Sequence, residues 1–155
     1  MRIIPAQEKH LDILVTLNVE VQNLHVGFEP EIFKVPSPDE IKTFFKNLFK
    51  NGNWKILISY EGEQPTGYIS IQIGGHEEHA FCYQQKWLYI DHICVKKNFR
   101  RKGVGTMLID AAKDFAKQHN INRIILDVWS VNENAKAFFK KEGFKTFIER
   151  MKMEI

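Results

Sequence analysis

The hydrophobic positions in the first third of the chain predict a short strand followed by two helices. Residues 2–4 begin a short, mostly apolar run that is typical of a strand. Apolar side chains then recur at intervals of three and four, as one face of a helix requires: Leu11, Leu14, Leu17, Val21 and Leu24. A loop with three prolines spans residues 27–38. The motif Ser37-Pro38-Asp39-Glu40 predicts the start of a second helix, because a serine with a glutamate three residues later forms a capping box.

The middle of the chain changes from helical to strand-like periodicity. Residues 54–60 and 67–73 are rich in β-branched and aromatic side chains, and the connection over residues 61–65 predicts a hairpin between them. We expect residues 74–85, which are largely polar, to be irregular. The run WLYIDHICV over residues 87–95 predicts a longer strand with two polar side chains in its interior.

The second half of the chain predicts a strand–helix–strand unit. Small and large apolar residues recur on one helical face over residues 104–116. Residues 123–128 are typical of a buried strand, so residues 87–128 indicate two parallel strands joined by that helix. A short helix over about residues 133–142 is expected to end at Gly143. The chain closes on alternating apolar residues that predict an edge strand: Met151, Met153 and Ile155.

The composition is that of one globular domain, which we place over residues 1–155. Hydrophobic residues make up 44% of the chain and charged residues 26%, and no repeat or linker divides it. No apolar run approaches the ~18 residues of a membrane span, and polar residues follow Met1 too soon for a signal peptide. Two cysteines, Cys82 and Cys94, fit a reducing cytoplasm better than a disulfide framework. The net charge of +3 permits an anionic ligand without indicating nucleic acid.

Residues 95–106 (VKKNFRRKGVGT) carry the most informative chemistry. A strand ends there, five basic residues follow within seven positions, and two glycines open a helix. The first amides of a helix lack partners, and the helix dipole adds partial positive charge, so this pattern favours a phosphate site. Arg100, Arg101 and Lys102 would add long-range attraction. The segment lacks the third glycine of a dinucleotide fingerprint and the Gly-Lys-Ser/Thr of a nucleotide P-loop. The alternative is a basic connector without a ligand.

At this point the chain resembles a known family. Arg100-Arg101-Lys102-Gly103-Val104-Gly105 matches the Q/R-x-x-G-x-G/A signature of the GNAT superfamily of N-acetyltransferases. The run from Asn132 to Phe144 is similar to the family's N-x-x-A-x-x-F-Y-x-x-x-G-F motif except at Phe139. The close similarity covers residues 88–144. It implies an α/β fold of the α+β type, with a mixed, mostly antiparallel sheet, a splayed cofactor strand and helices on both faces.

The resemblance also implies a site for acetyl-CoA as co-substrate, with no metal. The pyrophosphate would lie on the amides of residues 101–106, and the pantetheine arm would pair with the strand over residues 93–95. The helix that follows Asn132 would line the other side of that arm. The residues assigned to the cofactor in this way are Ile93, Cys94, Val95, Arg100, Arg101, Lys102, Gly103, Val104, Gly105, Thr106, Asn132, Ala135 and Phe139.

The implied reaction is direct acetyl transfer to a primary amine of a small molecule: a polyamine, amino sugar, amino acid or peptide. The backbone amide of Ile93, or that of Cys94, would bind the thioester carbonyl. Asp91 lies where polyamine acetyltransferases of the family carry a glutamate, and would act as base or relay a proton through water. A structural carboxylate is the alternative. His92 is a second candidate, and strand alternation would let only one of the two face the thioester.

Several alternatives stay open at this stage. Phe139 replaces the tyrosine that protonates the sulfur in many relatives, which leaves the general acid to water, Tyr89 or Tyr83. Acetylation of a protein N-terminus or lysine, and a CoA-binding sensor without catalysis, are rival functions. Cys94 as a nucleophile, and His76 with His79 as metal ligands, are disfavoured against a core thiol and a solvated loop. The closing strand leaves a homodimer open.

Overall fold

A computed structural model describes all 155 residues, and its five strands form one mixed sheet in the order β1-β2-β3-β4-β5. The first four strands are antiparallel, and β5 is parallel to β4. The strands are β1 Arg2–Pro5, β2 Trp54–Glu61, β3 Gln64–His76, β4 Gln85–Val95 and β5 Ile124–Leu126. The sheet joins segments from both ends of the sequence, so its centre can position side chains that lie far apart in the chain.

Helices cover both faces of this sheet, which confirms the expected fold class. They are α1 Leu11–Phe28, α2 Pro38–Phe49, α3 Val104–Gln118 and α4 Glu133–Lys141. One hydrophobic cluster packs α1 and α2 on one face, and a second packs α3 and α4 on the other. The predicted capping box forms at α2: the Glu40 N–H donates to Ser37 Oγ (3.2 Å), and the Ser37 N–H donates to Glu40 Oε2 (2.7 Å). None of the helices is both long and apolar enough to span a membrane.

A β-bulge interrupts β4 and reverses which residues face each side. Ser70 of β3 pairs with His92, whereas Ile71 pairs with Ile90, so Asp91 is the extra residue. Before the bulge, Leu88 and Ile90 belong to the core beneath α3. After it, the residues packed against that same core are Ile93 and Val95. The change of parity places Asp91 and His92 on the same face, under α1 and α2.

Strands β4 and β5 separate soon after they meet. Their pairing covers Leu88–Ile90 against Ile124–Leu126 and goes no further. Lys96 donates its N–H to the Thr66 carbonyl of β3. Because alternate residues of a strand direct their backbone groups to the same side, those of Ile93 and Val95 point away from β3 into the opening. The central sheet is therefore splayed at the carboxyl end of β4, as the fold class requires.

Three local predictions differ from the structure. Residues 74–76 extend β3 instead of starting a loop, because they pair with β4. Glycine permits this close pairing: a Cβ at Gly75 would stand 2.3 Å from the Gln85 carbonyl oxygen. Strand β5 is shorter than the predicted 123–128, and its side chains are half-buried. The closing strand is wrong: residues 145–155 form no strand, and Met151 is 91% exposed. An alternating pattern needs a partner strand, and none lies against this segment.

Candidate active site

Asp91 and His92 form a contact at the bulge of β4. Asp91 Oδ2 lies 3.7 Å from His92 Nε2, and both side chains are about one-quarter exposed. The expectation that only one of them faces the site is therefore wrong, because it assumed an uninterrupted alternation. Asp91 Oδ2 is buried and has no hydrogen-bond partner, and the same holds for Ser70 Oγ on the neighbouring strand. Two buried polar atoms without partners at one bulge indicate a place where a polar ligand binds.

A buried hydrogen-bond network reaches His92 from α1 through β3. Asn18 Nδ2 of α1 donates to the Tyr68 hydroxyl (2.8 Å), which lies 3.2 Å from His92 Nδ1. Burial raises the pKa of Tyr68, so the phenol stays protonated. Burial also lowers the pKa of His92, against the opposing effect of Asp91. The Phe44 ring of α2 stacks on the imidazole at 5.9 Å between centroids. Sequence reasoning missed Asn18, Tyr68 and Phe44.

The segment that connects β4 to α3 is held by Arg100. Its Nε donates to the Val95 carbonyl (3.0 Å), and its Nη2 lies 3.6 Å from Glu20 Oε2. The same Glu20 carboxylate accepts the Lys97 N–H (2.9 Å). Arg100 therefore has a structural role that the sequence did not indicate, whereas Arg101 and Lys102 are exposed and available to an anion.

Free amide groups begin helix α3. Its first backbone bond runs from the Met107 N–H to the Gly103 carbonyl, and no side chain caps the helix. The N–H groups of Val104, Gly105 and Thr106 therefore lack helical acceptors. Gly103 adopts a left-handed conformation (φ 82°), as does Arg101 (φ 65°), and a Cβ at Gly103 would meet no atom within 4 Å. These features fit the phosphates of a CoA-type ligand.

Gly105 has a different role from Gly103. A Cβ at Gly105 would stand 2.9 Å from Cζ of Phe138, so this glycine lets α4 approach α3. Thr106 Oγ1 strengthens the same junction by donating to Glu142 Oε1 (2.6 Å). Asn132 begins α4 as its N-cap, and its Oδ1 accepts the Ala135 N–H (3.1 Å). The two motifs that define the family resemblance therefore pack against each other.

Gly105→Ala is expected to lower the free energy of unfolding by about 1–3 kcal/mol, because the added methyl group overpacks the contact with Phe138. Adding Phe138→Leu to Gly105→Ala should recover part of that loss. Chemical denaturation of the two variants and of Phe138→Leu alone measures the coupling between the sites. Additive losses would contradict a direct contact.

Phe139 lies in the core and carries no proton to give. Its ring packs against those of Phe138 and Phe144 and is almost fully buried. Tyr89 Oη donates to Asp127 Oδ2 (3.2 Å), and burial together with Asp127 raises the pKa of Tyr89 to about 12. Tyr83 is exposed in the β3–β4 connection, before β4 begins at Gln85. Tyr89 is therefore a protonated phenol held by a carboxylate, whereas Tyr83 lies on the surface.

The structure also shows the surroundings of Cys94, considered as a nucleophile, and of His76 and His79, considered as metal ligands. Cys94 is buried and donates from Sγ to the Leu17 carbonyl (3.1 Å), and burial raises the pKa of its thiol to about 12. A protonated, buried thiol is a poor nucleophile. The rings of His76 and His79 lie 5.6 Å apart, but no group of three or more His, Cys, Asp or Glu side chains is placed to hold a metal ion.

Aromatic side chains connect the loop between α1 and α2 to the segment that follows β5. Phe33, in the loop between α1 and α2, stacks on His25 of α1 at 4.9 Å between centroids. Its other edge contacts Trp129, which follows β5, at 5.2 Å. Asp127 precedes Trp129 by two residues, and its Oδ2 accepts from Tyr89 of β4. Aromatic contacts therefore connect α1 and the α1–α2 loop to the segment that follows β5.

Comparison with known proteins identifies the family. The model of the Acetyltransferase (GNAT) family matches residues 18–144. The chain therefore belongs to the GNAT acetyltransferase family and is an acyltransferase. An uncharacterized N-acetyltransferase of Lactobacillus delbrueckii subsp. lactis is 22% identical over 161 residues, covering 97% of this chain and 88% of that protein.

Solved structures share the whole fold. The tetramutant of the BH1408 protein from Bacillus halodurans has a TM-score of 0.95 at 24% identity, covering 100% of both chains. A predicted acetyltransferase from Clostridium acetobutylicum, solved with acetyl-CoA, has a TM-score of 0.75 at 22% identity. The match covers 99% of this chain and 95% of that one. At these identities the likeness establishes the fold.

Proposed function

We propose that this protein transfers an acetyl group from acetyl-CoA to the primary amine of a small cationic molecule by direct attack. One observation carries the proposal: the Asp91 carboxylate, with a buried oxygen that has no partner, stands at the bulge two residues before Ile93. The backbone of Ile93 faces the opening between β4 and β5. In this proposal a proton acceptor and a backbone amide act on the same reacting centre, as acyl transfer to an amine requires.

The chain's own groups fit acetyl-CoA along this opening. The free amides at the start of α3 suit the pyrophosphate, and Arg101 and Lys102 add positive charge. The edge of β4 over residues 93–95 offers backbone groups to the pantetheine arm, and α4 from Asn132 borders the other side. When bound, acetyl-CoA supplies the acetyl thioester: the amine nitrogen bonds to the acetyl carbon, the carbon–sulfur bond breaks and the thiolate leaves.

The backbone N–H of Ile93 and the Asp91 carboxylate then have separate roles in the reaction. The N–H of Ile93 donates to the carbonyl oxygen that gains negative charge. The Asp91 carboxylate accepts the proton that the amine loses, directly or through water. No side chain is assigned as the acid for the sulfur. Phe139 cannot act, and a thiolate whose conjugate acid has a pKa of about 8.5 leaves without one near neutral pH.

The acceptor side supports a small, positively charged amine. Asp91 and Asp127 contribute negative charge, and Phe44 and Trp129 contribute aromatic faces that attract cations. We take the contact between Phe33, in the loop between α1 and α2, and Trp129, after β5, to border the acceptor side, which favours a compact molecule over a folded protein chain. A polyamine or amino sugar fits this description better than a protein N-terminus or lysine.

Thiol release from acetyl-CoA tests the proposed acceptor class. We expect turnover with diamines, polyamines or amino sugars at a kcat/KM at least about tenfold above that for lysine or N-terminal amines within peptides. A higher kcat/KM for peptides would instead support protein acetylation. Binding of acetyl-CoA without turnover on any amine would support the sensor function.

We further propose that the C-terminal arm, residues 145–155, pairs with the open edge of β5 in a second copy. The arm has no regular secondary structure and exposes Phe147, Met151 and Met153, while β5 has a neighbour on one side only. Alternating apolar residues form a strand when an edge accepts them. Exchange of two arms would close both edges with twofold symmetry.

Light scattering of the purified protein tests the exchange. We expect the mass of two chains for the wild type, and of one chain for Met151→Asp combined with Met153→Asp. The matched control changes Lys152 and Glu154, on the alternate face, to serine and should remain dimeric. A monomeric wild type, or a dimeric double aspartate variant, would refute the exchange.

We also propose that the protein works in the cytoplasm. Its two cysteines are both free thiols, Cys82 exposed and Cys94 buried, which suits a reducing compartment.

A further inference from the structure

We infer that Asn18 and Tyr68 hold His92 as the neutral tautomer with its proton on Nε2, and that His92 in this form is a positioning residue for Asp91. The tautomer is a property of the folded protein alone. The benefit to catalysis rests on the proposed function, in which Asp91 accepts the proton of the amine.

Three side chains with complementary donors and acceptors fix the tautomer of His92. Asn18 Nδ2 is an amide nitrogen that can donate hydrogen bonds but cannot accept them, so it donates to the Tyr68 hydroxyl at 2.8 Å. A phenol has a single proton, and that of Tyr68 is then free to point elsewhere. His92 Nδ1, at 3.2 Å, is the other polar atom bonded to the hydroxyl. Tyr68 therefore donates to Nδ1, and Nδ1 carries no proton.

The second nitrogen of the ring follows from the first. A neutral imidazole has one N–H, so an unprotonated Nδ1 places the proton on Nε2. Nε2 faces Asp91 Oδ2 at 3.7 Å, which is longer than a hydrogen bond but short enough for the carboxylate to favour a proton there. Burial keeps the ring neutral by lowering the pKa of His92. Phe44 covers one face of the imidazole, and Tyr68 meets it edge-on.

This arrangement decides between the two candidate bases at the bulge. The lone pair of His92 is engaged by Tyr68, so the ring has no site left to accept a proton from substrate. Asp91 keeps a buried oxygen without a hydrogen-bond partner and therefore remains the acceptor. The Nε2–H dipole points at that carboxylate and restrains its orientation. The titratable groups that interact with the pair are His25 of α1, which acts on His92, and Tyr68 of β3 and Tyr89 of β4, which lie near Asp91.

Nuclear magnetic resonance of protein with ¹⁵N-labelled histidine tests the tautomer without any substrate. The chain has six histidines, and His92→Gln identifies the signal that disappears. In the wild type at pH 7 we expect the long-range ¹H–¹⁵N pattern of an Nε2–H imidazole. In Tyr68→Phe, which keeps the ring and removes the hydroxyl, we expect a mixture of both tautomers. An Nδ1–H imidazole or an imidazolium in the wild type would overturn the inference.

Two substitutions of His92 test the positioning role. The amide nitrogen of glutamine reaches the place of Nε2, whereas that of asparagine reaches the place of Nδ1. We expect His92→Gln to keep kcat within about threefold of the wild type and His92→Asn to lower it about 10–100-fold, the usual effect of losing a group that orients an active residue. Equal losses in both variants would mean that His92 only fills space.

Different results would refute the His92 tautomer and the proposed acetyltransferase function. If the wild type acetylates no amine but shows the Nε2–H tautomer, the proposed function is wrong and the network stands. If the wild type acetylates an amine and His92 carries its proton on Nδ1, the inference is wrong and the proposed function stands.

Discussion

Asp91→Asn is expected to lower kcat for the best amine about 10²–10⁴-fold, the range associated with loss of a general base. Asparagine has nearly the shape of aspartate but cannot accept the proton of the attacking amine. The affinity for acetyl-CoA should change little, because α3 packs on the face of the sheet opposite to the Asp91 side chain. Steady-state kinetics over a range of pH, together with calorimetric titration of acetyl-CoA, separate the two effects.

The matched control for this prediction is Asp114→Asn. Asp114 is an exposed aspartate of α3 that pairs with Lys117 on the outer surface. The control should keep the kcat and the pH profile of the wild type. If Asp91→Asn keeps both as well, Asp91 is a structural carboxylate of the bulge and the base lies elsewhere.

Gly103→Val is expected to weaken acetyl-CoA binding by about 100-fold or more. The valine side chain would occupy the open space beside the free amides, and its β-branch disfavours the left-handed backbone (φ 82°) that starts the helix. A charge-assisted hydrogen bond is worth about 1.5–3 kcal/mol and a 100-fold loss corresponds to about 2.8 kcal/mol, so losing two such bonds has this effect. Calorimetric titration measures the affinity.

Gly62→Val is the control for backbone strain. Gly62 also has a positive φ (58°) and no atom within 4 Å of an added Cβ, but it lies in the β2–β3 turn. Both variants should lose about 1–2 kcal/mol of stability, and only Gly103→Val should lose affinity. Equal affinity in Gly103→Val and the wild type would contradict the placement of the pyrophosphate.

Strong local patterns account for what the sequence predicted correctly. Helix α3 and its glycine-rich start follow from a clear apolar period and from the motif over residues 100–105. The start of α2 follows from the capping box, which forms with both of its hydrogen bonds. Splaying of β4 from β5 was an implication of the family resemblance, and the short pairing of the two strands bears it out.

The bulge of β4 was out of reach of sequence reasoning. A single extra residue within a run such as YIDHIC leaves no periodic signature, and only the register with β3 reveals it. The error had a chemical consequence, because uninterrupted alternation separates Asp91 from His92. The network beneath them is equally non-local: Asn18 and Tyr68 are 50 positions apart, and Tyr68 and His92 are 24 apart.

The closing strand illustrates a different failure. The alternation of Met151 and Met153 is real, but a strand is defined by the edge that it pairs with. Three residues of β5 meet β4, and the arm does not reach their other side. The alternation of apolar residues in a segment indicates which face of a strand would be apolar. It does not indicate which other strand, if any, pairs with that segment.

Thiol release by one purified sample tests the central claim most directly. Acetyl-CoA is added first, and a diamine or amino sugar second, while free CoA thiol and the mass of the amine are followed. We predict negligible release of thiol before the amine is added. After its addition, we predict one thiol released for each acetylated amine formed, with the amine about 42 Da heavier because an acetyl group replaces one hydrogen. Thiol release before the amine, or none with any amine, would contradict direct acetyl transfer.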